Sequence, residues 1–129
     1  MEMAKRILIV DDEPGVIKVV SARLESNGYE VFSTLKGKDV PALIEKHLPD
    51  LIVLDIMMPQ MSGGEVVRML KQKESTKNIP VVFLSAAYND KSPQGNEAQG
   101  INVDGQSFPA IGKPFDPDKL LTIIKENLL

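Results

Sequence analysis

Residues 7–10 read Ile-Leu-Ile-Val and residues 51–54 read Leu-Ile-Val-Leu, and each run ends in aspartate. A strand with one wet face alternates apolar and polar residues. A short run that is apolar at every position fits a strand buried on both faces, as strands of a parallel sheet are. Such a sheet needs helices above and below it. It also exposes the carboxyl ends of its strands together at one edge. Two neighbouring strands of this kind would therefore crowd Asp11, Asp12 and Asp55 into one small pocket. Crowded like charges are costly unless a cation neutralises them or a proton is shared. Hard oxygen donors of this type suit Mg²⁺.

The rest of the chain supplies the helices. The first strand covers about 5–10, and Asp12-Glu13-Pro14 reads as a helix start with proline in the first turn. Val16, Val19, Val20 and Leu24 follow at helical spacing, and Asn27-Gly28 ends that helix. Tyr29 to Ser33 is a second strand. A helix over about 37–47 turns Val40, Leu43, Ile44 and Leu48 inward, and Pro49-Asp50 breaks it. The third strand is 51–55. After a loop marked by Pro59 and Gly63, Ser62 caps a helix over about 63–73 with Val66, Val67 and Leu70 inside. The fourth strand is Val81 to Leu84. Strands and helices alternating in this rhythm predict right-handed βαβ units, a parallel sheet and helices on both faces.

The rhythm fails after Ser85. Residues 89–107 hold Pro93, Gly95, Gly100 and Gly105 among many polar residues and show no apolar stripe of helical period. A fourth helix there is expected to be short or replaced by a loop. A weak strand is expected around 107–111. A last helix over about 116–128 carries Leu120, Leu121, Ile123, Ile124 and Leu128. No repeat, linker or second domain is visible, so residues 1–129 are expected to form one domain.

Composition closes off several classes. The formal net charge is −3 with lysine and arginine scattered, so no direct nucleic-acid surface is expected. There is no cysteine, which excludes disulfides and thiolate metal sites. No apolar stretch is long enough for a membrane span, and the N-terminus lacks the pattern of a signal peptide. A soluble cytoplasmic protein is the expectation, with no membrane partner.

In open α/β sheets, ligands sit beyond the carboxyl ends of the strands. Asp11/Asp12, Asp55, Ser85 and Lys113 all fall there. Each has an ordinary role when taken singly: a turn or cap residue for an aspartate or serine, a solvated surface charge for a lysine. Together at one edge they suit phosphoryl transfer. A carboxylate can attack phosphorus to give an aspartyl phosphate. Mg²⁺ on the other carboxylates would neutralise the phosphoryl oxygens, and Lys113 and Ser85 would hold the remaining ones. Such transfer depends mainly on positioning and charge.

These residues resemble a known pattern. Ile7-Leu8-Ile9-Val10-Asp11-Asp12-Glu13, the run Leu54-Asp55-Ile56-Met57-Met58-Pro59-Gln60-Met61-Ser62-Gly63, Ser85-Ala86 and Lys113-Pro114-Phe115 are similar to the receiver domain of two-component response regulators, the CheY-like superfamily. The resemblance covers essentially the whole chain. It implies a flavodoxin-like three-layer α/β sandwich whose five-stranded parallel sheet has the order 2-1-3-4-5. It implies that Asp55 is the phosphoacceptor and that Asp11 and Asp12 are the acidic pair around Mg²⁺, one of them through water. The backbone carbonyl of Met57 would be a further metal ligand. Ser85 would be the mobile hydroxyl, Lys113 would contact the phosphoryl group, and the Lys113-Pro114 bond would be cis. The donor would be a histidine kinase or phosphotransfer protein. The receiver of such a phosphorelay is a signalling phosphoprotein rather than a metabolic enzyme. It catalyses its own phosphorylation and dephosphorylation.

Two departures stand out. Three positions before its lysine the family carries Tyr or Phe, which swings inward to relay phosphorylation. Here that position is Ala110. Phe108, two residues earlier, would share its face if both lay on one strand. The stretch from Ser85 to Lys113 is also longer than usual and occupies the place of the usual fourth helix. The output is therefore expected to pass through residues 88–107 or another face, to a downstream protein or a domain absent from this chain. A stand-alone regulator and a receiver within a longer regulator or hybrid kinase are both compatible with a chain ending in its last helix.

Other readings fit less well. An Mg²⁺-dependent phosphatase with an aspartate nucleophile needs a second carboxylate two residues on, and Asp55-Ile56-Met57 lacks it. A flavodoxin-like cofactor binder needs a phosphate-cradling loop after the first strand, where Asp11-Asp12-Glu13 would repel phosphate. A degenerate receiver acting as a phosphorylation-independent binding module would not need all the site residues. His47 is the single histidine and falls near a helix C-terminus, where the dipole favours a cation. Met58 and Met61 are expected to pack beneath the site.

Met57 and Ala87 flank the expected path of an attacking water, and neither side chain can orient one. Slow loss of the phosphoryl group is therefore predicted. Met57→Asn should accelerate it several-fold when followed by intact mass; an unchanged or slower rate counts against this reading.

Overall fold

The computed structural model describes residues 4–56, 58, 61–85 and 100–128. A five-stranded parallel sheet is built from β1 (Arg6–Val10), β2 (Glu30–Thr34), β3 (Leu51–Asp55), β4 (Val81–Ser85) and β7 (Ala110–Gly112), in the spatial order β2-β1-β3-β4-β7. This is the expected order, with the fifth parallel strand numbered seventh because two further strands precede it. The described helices are α1 (Pro14–Glu25), α2 (Val40–His47), α3 (Gly63–Lys71) and α4 (Pro117–Asn127). A short 3-10 turn, Gly37–Asp39, leads into α2, so the single helix expected over 37–47 is split. None of the described helices is long and apolar enough to cross a membrane.

The unbroken apolar runs behave as their composition demands. Successive side chains of a strand point to opposite faces, and both faces here are covered. Leu8, Val10, Ile52, Leu54 and Phe83 pack against Val40 and Ile44 of α2 and Val66, Val67 and Leu70 of α3. Ile7, Ile9, Val53, Leu84 and Ile111 pack on the other side against Val20 and Leu24 of α1 and Leu120 and Ile124 of α4. Local signals set the helix ends. Pro14 opens α1, the Ser62 hydroxyl accepts from the Glu65 N–H at 3.2 Å at the start of α3, and Asp116 accepts from the Asp118 N–H at 2.9 Å before α4. His47 lies in the last turn of α2, stacked on Phe32 with ring centroids 3.8 Å apart. Met58 is buried in the α2/α3 layer and Met61 packs against that layer, as expected.

The expected weak strand over 107–111 is instead two strands in different sheets. β5 (Ile101–Val103) and β6 (Gln106–Phe108) form an antiparallel hairpin, and β7 begins after Pro109. The turn is Asp104-Gly105, both at positive φ (51° and 89°), as a tight two-residue hairpin turn requires. Gly100 is required for another reason: a Cβ there would lie 1.9 Å from the Phe108 carbonyl oxygen. Pro109 ends β6, but its carbonyl still accepts from the Phe83 N–H at 2.9 Å, tying the hairpin to β4.

The hairpin completes the α2/α3 layer. Val103 and Phe108 are buried in it, and the Phe108 ring meets Phe83 edge-on at 5.7 Å. Phe83 pairs in register with Ala110, which packs against the same layer. The phenyl ring of Phe108 therefore lies in the layer that Ala110 faces, but it arrives from a separate strand. On the surface, Arg68 of α3 holds Asp104 through Nε at 2.8 Å. An exposed pair of this kind contributes at most about 1 kcal/mol and serves to align the turn. Burial of Phe108 holds the hairpin down. Phe108→Ala is predicted to destabilise the domain by about 3–5 kcal/mol in urea unfolding, whereas Asp104→Ala should cost under about 1 kcal/mol.

Candidate functional site

Register brings the strand-end residues together. Val10 is level with Leu54, Asp55 with Leu84, and Ser85 with Gly112. The residues that follow β1 and β7, Asp11 and Lys113, therefore share one edge with Asp55 and Ser85. The Lys113 N–H donates to the Ser85 carbonyl at 3.0 Å, and the Ile56 N–H to the Leu84 carbonyl at 3.1 Å, so pairing continues one residue beyond the strands. The Lys113-Pro114 peptide is cis, as expected.

The three expected carboxylates converge. Asp11, Asp12 and Asp55 each present an oxygen within 4.8 Å of the others. Asp11 is fully buried, Asp55 nearly so, and Asp12 is exposed at the rim. Ser85 is buried beside them at the end of β4. Met57, whose carbonyl was expected to be a further ligand, lies outside the described residues, as does Ala87.

Lys113 sits among these anions. Its Nζ is 2.7 Å from Asp11 Oδ2, 3.2 Å from Asp55 Oδ2 and 3.0 Å from Glu13 Oε1, with only 11% of its side chain exposed. Burial would depress the ammonium, but its contacts with Asp11, Glu13 and Asp55 outweigh that and raise its pKa above the usual lysine value. Glu13 as a partner of Lys113 was not foreseen. The two are a hundred residues apart, and only the closing of the sheet edge joins them. At Asp11, Oδ1 accepts from the Glu13 N–H at 2.9 Å. Its Oδ2 lies 2.7 Å from Lys113 Nζ and, among the described residues, has no other donor.

This donor set fits a hard divalent cation. It is all carboxylate oxygen, and it carries excess negative charge. An open groove of about 560 Å³ runs from Glu13 and Lys113 along Val16, Val19, Phe115 and Pro117, so the pocket borders an apolar surface.

The model of the response regulator receiver domain matches residues 7–125. The chain belongs to that family. It is 38% identical over 126 residues to the phosphate regulon transcriptional regulatory protein PhoB of Pseudomonas aeruginosa, covering 98% of this chain and 52% of that protein. It is 35% identical over 123 residues to the response regulator PleD of Caulobacter vibrioides, covering 95% of this chain and 26% of that protein. The chain thus spans about half or less of the length of these relatives. Among solved structures it is similar to the chemotaxis response regulator CheY4 of Vibrio cholerae, with TM-score 0.79 and 27% identity over 96% of this chain and 98% of that one. It is also similar to the BeF3-activated DrrB receiver domain, with TM-score 0.74 and 29% identity over 98% of each chain. The receiver domain is thus held on the five-stranded sheet described above, with a hairpin before its last parallel strand.

The metal-free pocket carries an electrostatic cost. Burial of Asp11, only partly offset by Lys113 and the Glu13 N–H, raises its carboxyl pKa above the ordinary aspartate value. The ionised form therefore costs stability above the folded-state pKa, and that cost disappears as the pH falls below the ordinary aspartate value. Asp11→Asn removes this carboxyl and its pH-dependent cost, so without divalent metal the Tm of the variant relative to wild type is predicted to be higher at pH 7 than at pH 3. A relative Tm that is the same at both pH values, or higher in acid, would contradict this account.

Proposed function

We propose that this receiver domain accepts a phosphoryl group on Asp55 from a histidine kinase or histidine phosphotransfer protein and passes the signal on through protein contacts. The observation that carries the proposal is the place of Lys113, whose ammonium reaches both Asp11 and the Asp55 carboxylate at one strand-end edge. A nucleophile, neighbouring carboxylates and a buried cation are the groups that phosphoryl transfer uses.

In this reading an Asp55 carboxylate oxygen bonds to phosphorus as the donor's phosphorus–nitrogen bond breaks. Lys113 turns from the Asp55 carboxylate to a phosphoryl oxygen, a charge-assisted contact. The Ser85 hydroxyl, at the end of β4, donates to another. Asp11, Asp12 and Asp55 would hold Mg²⁺, with the Met57 carbonyl as a further ligand by the family resemblance. When bound, the ion supplies positive charge to the developing phosphoryl oxygens. Reversal by water regenerates the carboxylate, so the domain serves as a signalling switch with self-catalysed turnover and not as a metabolic enzyme. The apolar groove beside Lys113 suits a protein donor better than a small polar one. A cytoplasmic location fits a donor of this kind.

Ser85 and Phe83 lie on one strand and Phe83 meets Phe108 of the hairpin, and we assign the output to these elements in place of the aromatic ring absent at Ala110. Incubation with acetyl phosphate and Mg²⁺, read by intact mass, should give one phosphoryl adduct in the wild type and none in Asp55→Ala. Absence of an adduct from both would favour a phosphorylation-independent binding module.

A further inference from the structure

The family reading gives no role to Glu13, yet this residue touches both sides of the pocket. Its N–H fixes Asp11 through Oδ1 at 2.9 Å, and its side-chain Oε1 accepts from Lys113 Nζ at 3.0 Å. It occupies the N-cap position of α1, where Ser, Thr, Asp or Asn usually caps through the side chain. The Glu13 side chain makes no capping bond and reaches back over the pocket instead.

An ammonium has three donors and no acceptor. Here the three face Asp11, Glu13 and Asp55. Two of those carboxylates are also wanted by a divalent cation, and Asp55 must have a free oxygen to act as nucleophile. Lys113 therefore competes for the oxygens that the chemistry needs. With its side chain largely buried, it cannot simply withdraw into water. Glu13, 61% exposed at the rim, is the one partner of the three outside the acidic cluster of Asp11, Asp12 and Asp55.

We propose that Glu13 is a positioning residue for the phosphoryl-transfer pocket: its carboxylate holds the Lys113 ammonium at the rim and so frees Asp11 and Asp55 for a divalent cation. This inference rests on the receiver reading and adds a residue to it. Without Glu13, the charged partners left to Lys113 among the described residues are Asp11 and Asp55, and cation binding must strip it of both.

Mg²⁺ binding without any phosphodonor, measured by calorimetry, tests this in a double-mutant cycle of Glu13→Ala and Lys113→Met. Thermal unfolding confirms that each variant is folded. Glu13→Ala should weaken Mg²⁺ binding by roughly two- to five-fold in the wild-type background, the scale of a partly exposed ion pair. It should leave binding unchanged when Lys113 is already Met. Glu13→Gln, which keeps an oxygen acceptor, should lie between wild type and Ala. Equal losses in both backgrounds would mean that Glu13 contributes only its charge, and would overturn the proposal. No effect in the wild-type background would overturn it as well. Failure of the wild type to bind Mg²⁺ would overturn the metal reading and this inference together. Binding without a phosphoryl adduct on Asp55 would remove the phosphoacceptor reading alone.

Discussion

The ion pair between Lys113 and the buried strand-end carboxylates is the interaction on which the pocket depends. Asp11 is buried because β1 is buried on both faces and ends there, and Asp55 is buried for the same reason at the end of β3. Two carboxylates placed so close together, both buried, would repel strongly in a medium of low dielectric. Lys113 offsets part of that repulsion and pins the turn after β7 to the centre of the sheet edge. The compensation is incomplete, as the raised pKa of Asp11 indicates. A pocket left short of positive charge is poised to take a cation and then an anion. Stability and chemistry thus pull in opposite directions at Asp11.

The hairpin Ile101–Phe108 answers a packing problem on the other side of β4. Ala110 leaves the α2/α3 layer short of an aromatic ring, and Phe108 supplies one from outside the parallel sheet. Because the Phe83 N–H also bonds the Pro109 carbonyl, any shift of β4 reaches the hairpin through both a backbone bond and a ring contact. Ser85 lies on the same strand. Between β4 and β7 the described residues form a short antiparallel ribbon, held mostly by two buried side chains and aligned by the Arg68–Asp104 pair; the short or missing fourth helix expected earlier in that stretch lies outside the described residues.

Much of this was legible in the chain beforehand. Continuous apolar runs ending in aspartate point to buried parallel strands, and Pro14, Gly28 and Ser62 mark helix ends through local backbone chemistry. The parallel sheet, its helix layers and the gathering of Asp11, Asp12 and Asp55 follow from that periodicity. The spatial strand order and the cis Lys113-Pro114 bond came from the family resemblance, and the structure has both. The hairpin escaped because its strands are three residues each, too short for a period to emerge among so many polar neighbours. The one available signal was Asp104-Gly105, a strong two-residue turn, between Ile101/Val103 and Phe108. Pro109 interrupts the strand expected over 107–111 and separates β6 from β7.

Local sequence thus specified the elements and the strand-end carboxylates, because strand burial and helix capping act over a few residues. Contacts between distant segments had to await the folded sheet. Glu13 and Lys113 are a hundred residues apart, and neither carries a local mark of the other. Phe108 meets Phe83 only because the hairpin folds back over β4. The direction of such contacts depends on register and layer packing, in which the whole chain takes part.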